Sequence, residues 1–190
     1  METTLNTKNK IHPLKMYLYV GLGSIVMMFA GLTSAYIVKK SQANWLDFEL
    51  PKVFFIATVV ILLSSFTMQM AVKKAKEGLQ NPYRSFLSIT AFLGVVFMIL
   101  QYQGFMALQA NNIALTGARS NSAASFLFVI TLLHLLHVLG GVIAIFGVRF
   151  KSLSAKNNTE NTMPVELVST YWHFVDILWI YLFVFLQWIG

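Results

Sequence analysis

His173 and Asp176 stand three residues apart in the stretch TYWHFVDILWIYLFVFLQWI, residues 170–189. That stretch is long and apolar enough to span a bilayer as a helix. The spacing puts the imidazole and the carboxyl on one helix face. A carboxylate inside a membrane helix costs roughly 2.5–3.5 kcal/mol on insertion scales, so such a residue is seldom idle. Two readings stand side by side: acid–base or ligand chemistry, or a polar pair that locks helices together. His134 and His137 repeat the same spacing in ITLLHLLHVLGG. Their face continues through Thr131 and Gly141 and points toward other helices. Two imidazoles in a membrane helix invite a haem or a metal ion.

Depth argues against haem. A bis-His iron needs ligands from facing helices at one level. His137 lies eleven residues from Val148 and His173 three from Thr170. At 1.5 Å per residue those depths are about 16 Å and about 5 Å, a mismatch of roughly 10 Å. A zinc ion would need these His with Glu166 or Asp176, and the spacing is not that of a helical HExxH motif. Cys is absent, which excludes disulfides, iron–sulfur clusters and thiolate-bridged copper in this chain. His12 falls in a polar tail, so three His are left for the membrane. The favoured reading is a structural polar network of His134, His137, Glu166, Trp172, His173 and Asp176, with the carboxylates paired to His173 and His137. Gln101, Tyr102 and Gln103 are uncharged and can join such a network without carrying acid–base chemistry. No nucleophile–base pair, phosphate loop or dinucleotide fingerprint is present.

The elements that hold these residues are membrane helices. The 190 residues have a mean hydropathy of +0.67 and only 11% are charged, the balance of a polytopic membrane protein. Apolar spans run over residues 16–38, 53–72, 86–109, 123–148 and 170–189, the last helix starting near 164. Residues 1–15 read as a polar tail and 16–190 as one all-α transmembrane domain of five helices. The apolar run 16–38 is too long for the core of a cleavable signal. Pro51, Pro82 and Pro164 each precede a span, and Thr162 is placed to cap the last helix. The first helix carries Gly21, Gly23, Gly31 and Ser34, small residues that allow close helix approach. In the second, Ser64, Ser65 and Thr67 can bond backbone carbonyls of their own helix. Ten Lys and Arg fall in the tail, the second loop and the fourth loop; four fall on the opposite side. The positive-inside rule therefore puts the N-terminus in the cytoplasm and the C-terminus in the periplasm. The net charge of +7 is explained by that placement and by anionic lipid, not by nucleic acid.

Several motifs resemble one family. YWHFVDILW at 171–179 looks like the signature of subunit III of haem-copper terminal oxidases. HLLHVLGG at 134–141 is similar to its two-His helix, and Glu166 stands where the family places a Glu before the last helix. FAGLTSAYIV at 29–38 and LLSSFTMQMA at 62–71 resemble two further helices. Five spans match the short bacterial form of the family.

The resemblance implies an accessory role in a bacterial plasma membrane. The subunit carries no haem or copper; those sit in partner subunits. It packs chiefly on subunit I, beside subunit II and in some complexes a subunit IV or a supercomplex. It binds phospholipid, sustains proton uptake and protects against turnover inactivation. Its first two helices and last three are expected to form a V-shaped 2+3 bundle. Phospholipid is expected in the groove between the second and third helices, beside the loop from Lys73 to Arg84. One departure stands out: many members have Glu directly after the Ser of the first helix, and here Ser24 is followed by Ile25. The electron donor is cytochrome c or, alternatively, quinol. A b-type cytochrome anchor and a proton-coupled transporter with Asp176 as carrier are the competing classes; five helices without an inverted repeat disfavour the latter.

Overall fold

A computed structural model describes residues 13–41, 50–111, 122–154 and 162–189. His12, Asn112, Gly117, Arg119 and Lys156 lie outside the described residues. The described chain forms five helices: α1 (Pro13–Lys40), α2 (Lys52–Lys76), α3 (Gln80–Ala110), α4 (Ser122–Ser154) and α5 (Met163–Ile189). All five are long and apolar enough to cross a membrane. The helices overrun the apolar spans because their polar ends stay helical. α3 starts six residues before Phe86, and α4 continues six beyond Val148.

The ends follow local chemistry. α2 stops at Gly78, whose φ of 72° is the left-handed conformation that lacks a penalty only for glycine. The Gly78 N–H reaches the Ala75 carbonyl and the Leu79 N–H reaches that of Lys74, each at 3.1 Å, which satisfies carbonyls left over at the helix end. The Lys74 ammonium, 2.7 Å from Glu77, holds that exposed carboxyl below its usual range. α3 begins at once, so Pro82 sits inside its first turn rather than ahead of it, where no N–H partner is lost. The Thr162 carbonyl accepts the Glu166 N–H at 3.1 Å, the bond a residue preceding the first turn makes.

The tight turn makes α2 and α3 an antiparallel hairpin, the most extensively packed pair in the molecule. Thr67 and Thr90 share a hydrogen bond of 2.8 Å across it, and Gly104 sits directly on the Phe54 ring. The lipid groove expected between these helices is therefore filled by side chains. Helix α5 packs on α1, α2 and α4, and α3 packs on α4.

The expected 2+3 division is also corrected: α1 packs on α4 and α5 and makes no packing contact with α2. The reason is where its large side chains fit. Tyr36 meets Phe126 of α4 and Phe185 of α5 edge-on, and Thr33 bonds Tyr181 of α5 at 3.1 Å. Small residues do not decide its docking. A Cβ at Gly21, Gly23 or Gly31 would meet nothing within 4 Å.

Candidate functional site

Trp172 and Trp179, seven residues apart on α5, are both buried and each fastens to α2 in the same way. The Trp172 Nε1–H donates to Ser64 Oγ at 3.1 Å, while the Ser64 hydroxyl donates to the Ile61 carbonyl at 2.8 Å. The Trp179 Nε1–H donates to Thr58 Oγ1 at 3.0 Å, while Thr58 donates to the Phe54 carbonyl at 2.8 Å. A hydroxyl has one proton and two lone pairs, so it serves its own helix and its neighbour together. The Trp172 ring then lies between Gly94 of α3 and Gly141 of α4.

Between the two tryptophans α5 presents its titratable pair. His173 is half-buried and uses both ring nitrogens on α2: Nδ1 lies 2.7 Å from Ser65 Oγ and Nε2 lies 3.1 Å from Gln69 Oε1. Asp176 is 2% exposed. Neither of its carboxyl oxygens has a hydrogen-bond partner, although the Ser65 side chain is close enough to interact with it. His134 is fully buried against Trp179, Phe97 and Phe29, at ring separations of 5.1, 5.9 and 6.5 Å, with no polar partner for either nitrogen. The His137 Nδ1–H donates to the Leu133 carbonyl of its own helix at 2.7 Å, and the Tyr171 hydroxyl donates to the His137 carbonyl at 3.0 Å.

Glu166 is set apart from these groups. It bridges Lys76 of α2 at 3.1 Å and Lys15 of α1 at 3.6 Å, so one carboxylate ties three helix ends. At the far end the Lys40 ammonium donates to the Ile189 carbonyl. Part-exposed ion pairs contribute about 0–1 kcal/mol each. Glu166→Gln should lower the temperature at which the chain unfolds in vesicles only slightly, and high salt should erase the difference. A large salt-independent loss would contradict this.

The six residues expected to form one network thus fall into separate contacts. His173 pairs with Ser65 and Gln69, not with Asp176 or Glu166, and His137 pairs with no carboxylate. On one helix face, residues three apart both reach outward to the neighbour, and the hydroxyl and amide of α2 come within reach first. Asp176→Asn therefore strands no charged partner. It should leave the unfolding temperature close to that of the natural chain, and a fall as large as that of a core truncation would contradict the geometry.

Tyr171 bonds at His137, Trp172 touches Gly141 and Trp179 stacks near His134, so α4 and α5 run antiparallel with His173 within about one turn, ~5 Å, of His137. Depths counted from apolar boundaries missed this because α5 begins at Met163, seven residues before Thr170, which puts His173 ten residues into its helix. Direction separates the two imidazoles instead: His137 packs on Phe29 of α1, and His173 faces α2. Among the described residues no three His, Asp or Glu converge as metal ligands would.

Ser64 and Thr67 bond carbonyls of α2 as expected, whereas Ser65 turns to His173, and Thr58 and Gln69 are contacts of α5 that the sequence left unmarked. The available signal was their shared face, 58, 65 and 69 being spaced by about whole turns. Gln101 is buried without a partner, whereas Tyr102 is exposed. Ser24 bonds the Val20 carbonyl at 3.1 Å, and Ile25 is half-buried.

Residues 12–190 match the family described as Cytochrome c oxidase subunit III. The chain is 33% identical over 186 residues to a "Probable cytochrome c oxidase subunit 3" of Nocardia farcinica, covering 92% of this chain and 90% of the relative. It is 30% identical to the "Cytochrome c oxidase subunit 3" of Corynebacterium diphtheriae, over 87% and 85% of the two chains. The protein of that name from Thermostichus vulcanus is 31% identical, over 89% and 84%. With the α5 motif built as a packed helix lock and the match extending over almost the whole chain, the protein belongs to the cytochrome c oxidase subunit III family.

Proposed function

We propose that this chain is the accessory, redox-inactive third subunit of a respiratory haem-copper oxidase, with cytochrome c as electron donor to the complex. The observation that carries this reading is the family match over residues 12–190. The donor chemistry is consistent with it. The intramembrane imidazoles are spent on hydroxyl, amide, carbonyl and aromatic contacts within the bundle. A rigid helical body suits a role in holding subunit I, with subunit II and a fourth subunit or supercomplex as further neighbours. Haems and copper belong to those partners.

The gathering of Lys15, Lys76 and Glu166 at one end supports a bacterial plasma-membrane orientation with that end in the cytoplasm. Cationic groups there would also hold anionic phospholipid headgroups. Support of proton uptake by subunit I follows from the same placement at the membrane edge.

The test is purification of the oxidase from native membranes through a tag on subunit I. This chain is expected in stoichiometric amount beside a copper-binding subunit II, and its absence would overturn the reading. A quinol-oxidising complex around it would correct the donor alone. Expressed by itself, the chain should show no Soret band; a b-type spectrum would point instead to a cytochrome anchor.

A further inference from the structure

Three polar side chains are sealed in the seam between α3 and α4. Gln101 on α3 and Thr131 and His134 on α4 are 0%, 1% and 0% exposed. Gln101 Oε1 and Nε2, Thr131 Oγ1 and both His134 ring nitrogens have no hydrogen-bond partner among the described residues.

Packing puts these side chains at one level. The two helices run antiparallel: Arg84 bonds Ser152, the Phe97 ring meets His134 at 5.9 Å, and the Phe105 ring meets Phe128 at 5.2 Å. Gln101 is four residues from Phe97 and four from Phe105, and Thr131 is three from Phe128 and three from His134. Both therefore stand midway between two aromatic layers, within about one turn of His134. Side chains lean toward the N-terminus of their helix. Gln101 thus leans toward the His134 layer, and His134 leans back toward Thr131. Trp179, 5.1 Å from both His134 and Phe97, closes the site toward α5, and Phe54, 6.3 Å from Phe105, closes it toward α2.

The donor set selects the ligand. An amide NH2, a hydroxyl and one imidazole N–H can donate; an amide oxygen, the hydroxyl and one imidazole lone pair can accept. A metal ion would need carboxylates or several imidazoles, and here it would meet a single imidazole among N–H donors. A lipid headgroup is too large for a site with no exposed side chain. Water donates and accepts, and a buried water makes about three bonds to groups left unpaired by the protein. One molecule can donate to Gln101 Oε1 and to the unprotonated His134 nitrogen while the Thr131 hydroxyl donates to it.

We infer that Gln101, Thr131 and His134 form an internal water site that bridges α3 and α4 within the membrane span. Such a bridge fixes the register of the two helices, because a slip of either would strand polar groups where bulk water does not reach. Asp176 and Arg149 Nε also lack partners, but Asp176 belongs to α5 and Arg149 lies fifteen residues beyond His134. The water site goes beyond the accessory role and does not depend on which complex the chain joins.

The test uses the full chain, with isotope-labelled histidine, in phosphatidylcholine vesicles. Solid-state NMR passes magnetisation from water protons to the ring nitrogens. The His134 signals are those lost in His134→Phe or, should that variant not fold, those left when His12, His137 and His173 are each replaced by Gln. His134 should receive magnetisation from water although it is fully buried. Gln101→Leu and Thr131→Val keep the shape and remove the polar partners; each should lower that transfer severalfold and leave transfer to His173 unchanged. Gln101→Leu should also lower the unfolding temperature, because the water loses a partner. In a dry site the same change would raise it, by removing an orphaned amide. No transfer to His134 in the natural chain, unchanged transfer in both variants, or a higher unfolding temperature in Gln101→Leu would overturn the site.

Discussion

Trp172→Ala should strip this chain from its purified complex. The side chain is wholly buried and touches three helices besides its own: Ser64 on α2, Gly94 on α3 and Gly141 on α4. Truncating a buried Trp in a protein core costs about 3–5 kcal/mol, a transfer part plus a cavity part. Inside a membrane the transfer part is small and packing is the main force between helices, so the loss falls on the cavity part. Subunit content by mass spectrometry should fall severalfold, and the chain alone should unfold at a lower temperature. Trp172→Phe separates ring from hydrogen bond. It keeps most of the packing and loses the 3.1 Å bond to Ser64, a cost of about 1 kcal/mol. Trp188 is 85% exposed, and Trp188→Ala should leave the isolated chain's stability unchanged. Equal losses at Trp172 and Trp188 would mean that the lock is not what holds α5.

How much of this could be read in the residues differs by level. Five helices were legible because an apolar run of membrane length has few alternatives once every backbone group must be bonded internally. Burial of Asp176 and His134 was legible from their faces. Partner choice was not. Ser64 was visible as a hydroxyl that can bond a carbonyl of its own helix, and it does, as does Thr58; that each also accepts a tryptophan N–H depends on α5 lying against α2 at one register. Register is set by contacts such as Tyr171 with the His137 carbonyl, which no hydropathy profile contains. The same gap explains the mistaken helix grouping. Small residues in α1 pointed to close packing there, yet the close approaches occur at Gly94, Gly104 and Gly141. Glycine spacing says that a helix can be approached, and only the opposing Trp or Phe says that it is.

That contrast yields the second large effect, at Gly94. A Cβ built there would lie 2.7 Å from Trp172 Cη2 and 2.9 Å from Val142 Cγ2, distances real methyl groups do not tolerate. The ring cannot retreat. Its Cε3–Cζ3 edge meets Gly141, where a Cβ would be 2.9 Å from Trp172 Cε3, and its Nε1 is held by Ser64. Gly94→Ala therefore forces helices apart instead of turning a side chain, and overpacking of this kind costs about 1–3 kcal/mol. Helix propensity acts in the opposite direction by up to about 1 kcal/mol, since Ala is the better helix former. Gly21→Ala isolates that term, because nothing lies within 4 Å of its Cβ; it should be neutral or slightly stabilising. If steric conflict with Trp172 is the cause, Trp172→Phe should recover part of the Gly94→Ala loss in the double variant. The coupling energy between the two sites would then differ clearly from zero. Thermal unfolding of the four chains in vesicles decides it. Simple additivity would place the conflict with Val142 instead.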